Sequence, residues 1–545
     1  MAPAALLALA LSVLSGCHAS VRGVEEPDGT ERPTVLSLRV TAGLPGEGVR
    51  AVTDSQDPDV APADGTGEGM ITYMQVYMPR VGLLRQTTLI AGADGMDYTA
   101  RFELPLKQSV PTSYAVLVGS QNLDLAEKDF TANQTVGSDR FLNVIHEKGF
   151  IQTSESSVGN VTIVPGVTDP SPQGDNFFTA EVERIVAKVQ VSQKDGLSLT
   201  LPNIGTLTPL KYSMAGSAKE TYLFRDHAGT RTLDETGEKT IYKDFKSFID
   251  DKTVPTDWDS KDPHPFLQRV SDKENSDYIL GGYFRNPKEV TEAPASPTSI
   301  DGGFYFYENS MYGGTKVAAK KGEIKYNRIA YAKVYTKLTP TNAYTEGNPG
   351  EKVLAKPEEF TKEQSCLMVI PAEVYAKIWN LPQYKGKLHV YRIHHQDGTT
   401  TMEYNLSVTD KPGTFYEGMD DGLLYLTLQD AVKLGKNKSV RKYDEGRMVY
   451  MLPLNRQLDP KKGFVNYCDT RRNNIYDLTI KGISGIGHNY DPVDPEDPNV
   501  PKPEDNPFEP PADPQIPVEP ADYLMQITAT VLKWNLVEKH YALWN

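Results

Sequence analysis

The chain has 545 residues, a formal net charge of −15 and 39% hydrophobic residues. That length accommodates about two or three domains with real cores, and an acidic balance repels phosphate backbones, which argues against a nucleic-acid partner. Tyr (29) outnumbers Phe (17) while Gly (43) and Pro (39) are plentiful, a composition of strands and turns.

Residues 4–14 are apolar, too short to span a bilayer and of the length of a signal-peptide core. Leu14-Ser15-Gly16-Cys17 follows, in which small residues lead up to a thiol. This has the form of a bacterial lipobox, where the cysteine carries the lipid and becomes the new N-terminus. Met1-Ala2-Pro3 lacks the positive charge usual in an export signal, so an upstream start is expected.

After a turn-rich tether, Val35–Ala42 alternates, with Leu36, Leu38, Val40 and Ala42 on one face. This predicts a half-buried strand. Residues 43–69 are Gly-, Asp- and Pro-rich, and Arg50-Ala51 lies there, open to proteolysis.

Strands dominate from residue 71: 71–79, 113–122 as a central strand covered on both faces, and 178–193, which starts another strand with charges interleaved among apolar positions. Residues 123–148 have helical spacing, and 211–224 read as the end of a first domain. A second set of strands falls at 304–309, 327–340, 447–454 and 473–487. Residues 388–408 form a hairpin turned by Asp397-Gly398. Short strands punctuated by turns, without regular strand–helix alternation, indicate sandwich domains.

Residues 491–521 hold eleven prolines and nine acidic residues. Such a segment cannot build a core; it is an extended spacer that reaches on the order of 90 Å at ~3.1 Å per residue. It delivers Tyr523–Trp534, where Tyr523, Met525, Ile527, Ala529 and Val531 share one face and Trp534 lies on the other. An isolated strand of this kind needs a sheet edge and a groove. The groove belongs either to its own chain or to a neighbour by strand addition.

The segment 471–498 (RRNNIYDLTIKGISGIGHNYDPVDPEDP), its Pro/acid spacer and TVLKW (530–534) resemble the Bacteroidales fimbrillins of type V pili, most closely the major subunits of the short fimbriae. Looser likenesses lie at 182–189, 222–224, 304–309 and 330–340. The resemblance implies a mainly β chain of two tandem transthyretin-like β-sandwich domains with a Pro-rich linker and a C-terminal donor strand. The boundaries are a signal peptide 1–17, a propeptide 18–50, sandwiches 51–225 and 226–490, a linker 491–521 and a donor segment 522–545. It further implies lipidation at Cys17 and cleavage by an Arg-specific protease between Arg50 and Ala51. Loss of the first strand (Leu36, Leu38, Val40, Ala42) opens a groove, which is filled by the terminal strand of another copy (Tyr523, Met525, Ile527, Ala529, Val531, Trp534). The partners implied are copies of itself, accessory anchor and tip subunits, the protease, host or bacterial surface receptors and, through the precursor's lipid, the outer membrane. The location implied is a cell-surface fimbria that supports adhesion and biofilm formation.

No catalytic, cofactor or metal constellation is legible. His394-His395 are adjacent in a strand and point apart, and the Asp-Gly pairs are turn formers. Cys366 and Cys468 either pair or stand as buried thiols, and Arg471-Arg472 reads as a surface or interdomain contact. The rival reading is a monomeric surface lipoprotein of β-sandwich fold, or a fimbrial tip adhesin, that binds glycan or host protein. A tip needs no donor strand.

Overall fold

The structure, a computed structural model, describes residues 30–42, 71–92, 97–119, 125–131, 135–137, 151–154, 158–215, 220–224, 287–292, 303–307, 330–454, 458–459, 464–465, 470, 472–489, 506–509 and 525–533. It is mainly β. The strands that matter below are β1 (Arg32–Ala42), β2 (Tyr73–Met78), β3 (Asp97–Leu106), β4 (Val110–Gly119), β5 (Phe177–Arg184), β6 (Ala187–Gln193), β7 (Phe304–Phe306), β8 (Tyr331–Pro340), β9 (Gln364–Ile370), β10 (Leu388–His394), β11 (Thr400–Asp410), β12 (Val440–Tyr443), β13 (Arg447–Pro453), β14 (Asn474–Ile483) and β15 (Met525–Lys533).

The first body is one nine-stranded sheet whose order runs Gly82–Gln86, β2, β4, Gln152–Thr153, β5, β1, β3 and Leu89–Ala91, with Val158–Ile163 beside β4. Its ends come together: Gln86 Nε2 of the first strand donates to Arg101 O of β3 at 2.8 Å. The sheet is therefore folded over on itself. It encloses an apolar core to which β1, β2, β3, β4 and β5 all contribute. β4 is buried on both faces as its sequence predicts: Tyr114, Val116 and Val118 enter this core, while Ala115 and Leu117 enter a second one.

The second core lies between a four-stranded sheet, β7-β6-β14-β15, and a sheet built on β8 with β13, Lys211–Ala215 and the Gly205–Leu207 hairpin. Tyr212 meets Phe304 edge-on across it, with ring centroids 5.3 Å apart. A third core was not anticipated from the sequence. The chain between β8 and β13 forms a five-stranded sheet and the three-stranded sheet β9-β11-β10, with helices Ala372–Ile378 and Leu428–Lys433 packed among them.

One arrangement recurs at the first and second cores. β1 runs parallel to β5 and antiparallel to β3; β6 runs parallel to β14 and antiparallel to β7. Each body thus lays its opening strand beside its closing one.

Several expectations are corrected. Residues 178–193 are two strands in two different sheets, with only Ile185 and Val186 between them. Residues 211–215 pair with β8. The one or two short helices expected in 123–148 are met, among the described residues, by one short helix, Glu127–Thr131, followed by a strand, Thr135–Gly137. Arg472 is an interior contact, 3% exposed, and its Nη1 donates to Leu223 O at 3.3 Å. Arg471 and Cys468 lie outside the described residues. Cys366 is a free thiol that burial pushes up to a pKa of about 11.

Candidate functional site

β1 occupies a slot between two strands. On one side the register runs from Ser37 opposite Phe177 to Ala42 opposite Val182, parallel. On the other it runs from Arg32 opposite Leu106 to Thr41 opposite Asp97, antiparallel. Leu36, Leu38 and Val40 are 0% exposed. Their alternation along the strand aims all three at Met74, Val76, Phe102, Val116 and Val182. Ala42 is the last residue of the strand. Covering each large side chain stabilises the strand by roughly 1.5–3 kcal/mol before ordering costs.

The slot is apolar, with one polar group in its wall. Tyr114 donates its hydroxyl to Thr179 O of β5 at 2.5 Å. Burial pushes its pKa up to about 12, against the opposing effect of that hydrogen bond, so the ring stays neutral and the wall uncharged. On the opposite face of β1, Arg39 lies over the Phe177 ring at 5.0 Å and Thr41 donates to Asp97 Oδ1 at 2.8 Å.

Asn176 is a site residue that the sequence did not reveal. It sits at φ 62, in the left-handed region that Asn tolerates better than most residues. Its carbonyl accepts from Ser37 N at 2.9 Å, and its Nδ2 donates to Val35 O at 3.2 Å and Val164 O at 2.9 Å. It pins the start of β1 to the preceding loop.

Leu38→Ala should destabilise the unprocessed chain by about 2–5 kcal/mol, the range for truncating a fully buried Leu. Arg39→Ala, on the other face, should cost well under half of that. Thermal unfolding of the two variants checks the ranking.

The terminal strand is housed in its own chain. β15 runs antiparallel along β14, from Lys533 opposite Asn474 to Met525 opposite Ile483, with a bulge between Ile480 and Gly482. Among the described residues it pairs with β14 alone and so forms the outer edge of its sheet. Met525 is 1% exposed in the second core. Ile527, Ala529 and Val531 lie within β15, whereas Cys17, Arg50, Ala51, Tyr523 and Trp534 lie outside the described residues.

The Pro/acid segment is not extended throughout. At Asn506–Glu509 it docks on the edge of β12. Val440 N donates to Phe508 O at 3.0 Å, Asn506 Nδ2 donates to Val440 O at 2.7 Å, and Glu509 Oε2 accepts from Lys442 N at 3.0 Å. Asn489 Nδ2 donates to Glu509 Oε1 at 2.9 Å, which closes the loop.

Burial raises the Glu509 pKa against the hydrogen bonds that lower it. The sign follows: a carboxyl raised in the docked state favours docking at low pH and loses that support as pH rises through the docked-state value. Amide protection at Lys442, corrected for intrinsic exchange, should fall as pH rises across the carboxylate range. Glu509→Gln should flatten that dependence.

Among the described residues no group of three or more His, Cys, Asp or Glu is placed to hold a metal ion, and no helix is long and apolar enough to cross a membrane. His394 and His395 each hydrogen-bond a threonine, Thr400 at 3.0 Å and Thr401 at 2.8 Å.

Residues 441–540 match the family model described as the C-terminal region of the major fimbrial subunit protein type IV, fimbrillin. No curated protein matches the chain. Solved structures similar to it include a cell adhesion protein from Parabacteroides distasonis, at 11% identity and a TM-score of 0.38, covering 92% of this chain and 100% of that one. Another is the tip fimbrial protein Mfa3 from Porphyromonas gingivalis, at 12% identity and a TM-score of 0.32, covering 92% and 100%. A fimbrial assembly protein from Parabacteroides distasonis follows at 10% identity and a TM-score of 0.25, covering 68% and 99%.

Proposed function

We propose that this chain, whose residues 441–540 carry a fimbrillin C-terminal region, is the structural shaft subunit of a bacterial surface fimbria. The precursor is exported with Cys17 as its lipid-bearing residue, which anchors it to the outer membrane. An Arg-specific protease cuts between Arg50 and Ala51, β1 leaves, and the C-terminal segment of a second copy takes its place. Anchor and tip subunits complete the fibre, and receptors on host or bacterial surfaces are its targets. The role is structural rather than catalytic.

One observation supports this reading above the others. β1 is an inner strand with a partner on each side and Leu36, Leu38 and Val40 fully buried, yet it is joined to the rest of its body only through residues 43–70. Once that connection is cut, nothing covalent retains it. Its departure unpairs β3 and β5 along facing edges and uncovers the side chains that Leu36, Leu38 and Val40 had sealed. A sheet with such a gap strongly favours an incoming strand. Gap and strand are different surfaces, so the contact is heterologous and propagates as a filament.

A second reading of the donor follows from the ladder between β15 and β14. In the first, Tyr523–Trp534 leaves β14 and crosses to the neighbour. In the second, β15 stays and the residues after it cross, with Leu536, Val537, Tyr541, Leu543 and Trp544 as the apolar groups. The test of the function itself is N-terminal sequencing of Arg-protease-treated chain, with electron microscopy of the product. A start at Ala51 together with filaments is expected. A start that retains β1 in a filament overturns the reading.

A further inference from the structure

The two sheets around the third core meet at a buried lysine–carboxylate pair. Asp410 ends β11, in the sheet β9-β11-β10, and Lys442 lies on β12, in the five-stranded sheet. The Asp410 side chain is 1% exposed, and Lys442 Nζ stands 3.0 Å from its Oδ1. Tyr416, itself fully buried, donates its hydroxyl to Asp410 Oδ2 at 2.8 Å. Among the described residues Oδ1 accepts no hydrogen bond, because the amine approaches it out of line. A second carboxylate, Asp444, places Oδ1 3.7 Å from the same Nζ.

As a plain ion pair this arrangement is poor. A carboxylate taken out of water is costly unless both of its oxygens are satisfied, and one of these is not. As the ground state of a condensation it is well made. An amine held against one carboxyl oxygen is within reach of the carboxyl carbon, and fixing the two groups in place supplies the effective concentration that free amines and acids in water lack. Burial pushes the Tyr416 pKa well above its usual value, helped by the Asp410 charge, so its hydroxyl stays a donor. It is aimed at the oxygen on which negative charge grows when nitrogen adds to the carbon.

We propose that Lys442 and Asp410 become joined by an amide bond, formed by the folded chain itself. Asp444 takes one proton from the Lys442 ammonium. The freed electron pair on Nζ attacks Asp410 Cγ, and the C–N bond forms while Tyr416 holds Oδ2. The bond from Cγ to Oδ1 then breaks. Oδ1 leaves with two of the three ammonium protons, one of them carried by Asp444, as water. An ammonium and a carboxylate give one amide and one water, with no oxidant or reductant. The closed site keeps water from returning to reopen the bond.

The bond ties β12 covalently to β11, across two sheets that share no ladder. It also roots the docked part of the Pro/acid segment, since the backbone N of Lys442 donates to Glu509 Oε2. A strand that carries this load could not be peeled from its body.

The test is mass spectrometry of the full chain, unfolded in denaturant. Compared with Lys442→Arg, which keeps the cation and cannot close the bond, the parent should be lighter by one water once the substitution itself is allowed for. Trypsin should release one branched peptide that holds both Asp410 and Lys442. Lys442→Arg should also melt at a lower temperature. Asp444→Asn keeps both reacting groups and should link about a hundredfold more slowly, the usual scale of a lost proton carrier; unchanged linking overturns the part given to Asp444. A parent chain of full mass leaves only an ion pair and overturns the proposal, as does a missing water that maps to other residues. Both of these results are read from the peptides of the parent chain alone, so they stand even if a variant fails to fold.

Discussion

Deleting residues 523–545 is expected to give a chain that is exported and cleaved yet forms no filaments, and deleting 535–545 alone distinguishes the two donor readings while disturbing less. Removing 523–545 strips β15 from β14, exposes a nine-residue edge and empties the site of Met525 in the second core. By the usual cost of a lost Met side chain alone, this deletion destabilises the second body by about 2–5 kcal/mol. Removing 535–545 leaves that ladder intact. If β15 itself crosses to the neighbour, the shorter deletion still polymerises and only the longer one stops growth. If the residues beyond β15 cross, both stop it, and the shorter does so with an unchanged melting curve. Filament counts by electron microscopy, together with thermal unfolding, separate these cases. Growth in both deletions sinks the donor assignment.

Arg50→Ala is expected to hold the protein as an anchored, unpolymerised precursor. β1 then stays covalently tied, and at high effective concentration it outcompetes any strand from solution. The slot has no second entrance, because both of its edges are already paired. The substitution should leave melting unchanged and abolish filaments. A purified chain that begins at residue 51 should polymerise without protease. If Arg50→Ala polymerises as the parent does, cleavage lies elsewhere or plays no part.

The strands that form the slot were largely legible because they alternate. Leu36, Leu38 and Val40 repeat at period two, and the read span Val35–Ala42 falls inside the observed Arg32–Ala42. The same periodicity gave β4 and the β10–β11 hairpin, where Gly398 turns at the positive φ its position demands. What failed was the join at Ile185-Val186. Both residues are fully buried and no Gly or Pro interrupts them; the apolar positions only shift phase there, from Phe178, Ala180 and Val182 to Ala187, Val189 and Val191, while the chain changes sheets. Periodicity reports burial and says nothing about which sheet does the burying. The docking at Asn506–Glu509 was hidden for the opposite reason: composition predicts the average stiffness of a Pro/acid segment and is blind to one short stretch whose Asn and Glu side chains find backbone partners on β12. Likewise, the position of β15 beside β14 could not be decided from its own pattern, since any complementary edge satisfies it.

The directness of that join has a mechanical consequence. β5 borders the slot, β6 pairs with β14, and β14 carries the terminal strand. Two residues connect β5 to β6, and they are fastened: Asn473 N donates to Val186 O at 2.7 Å and Asn473 Oδ1 accepts from Arg184 N at 3.3 Å. A pull on one end of the subunit is therefore passed from ladder to ladder through a hinge with almost no slack. Under shear flow a fibre of such units would stretch little before its hydrogen-bonded strands yield, behaving as a taut cord rather than as beads on elastic.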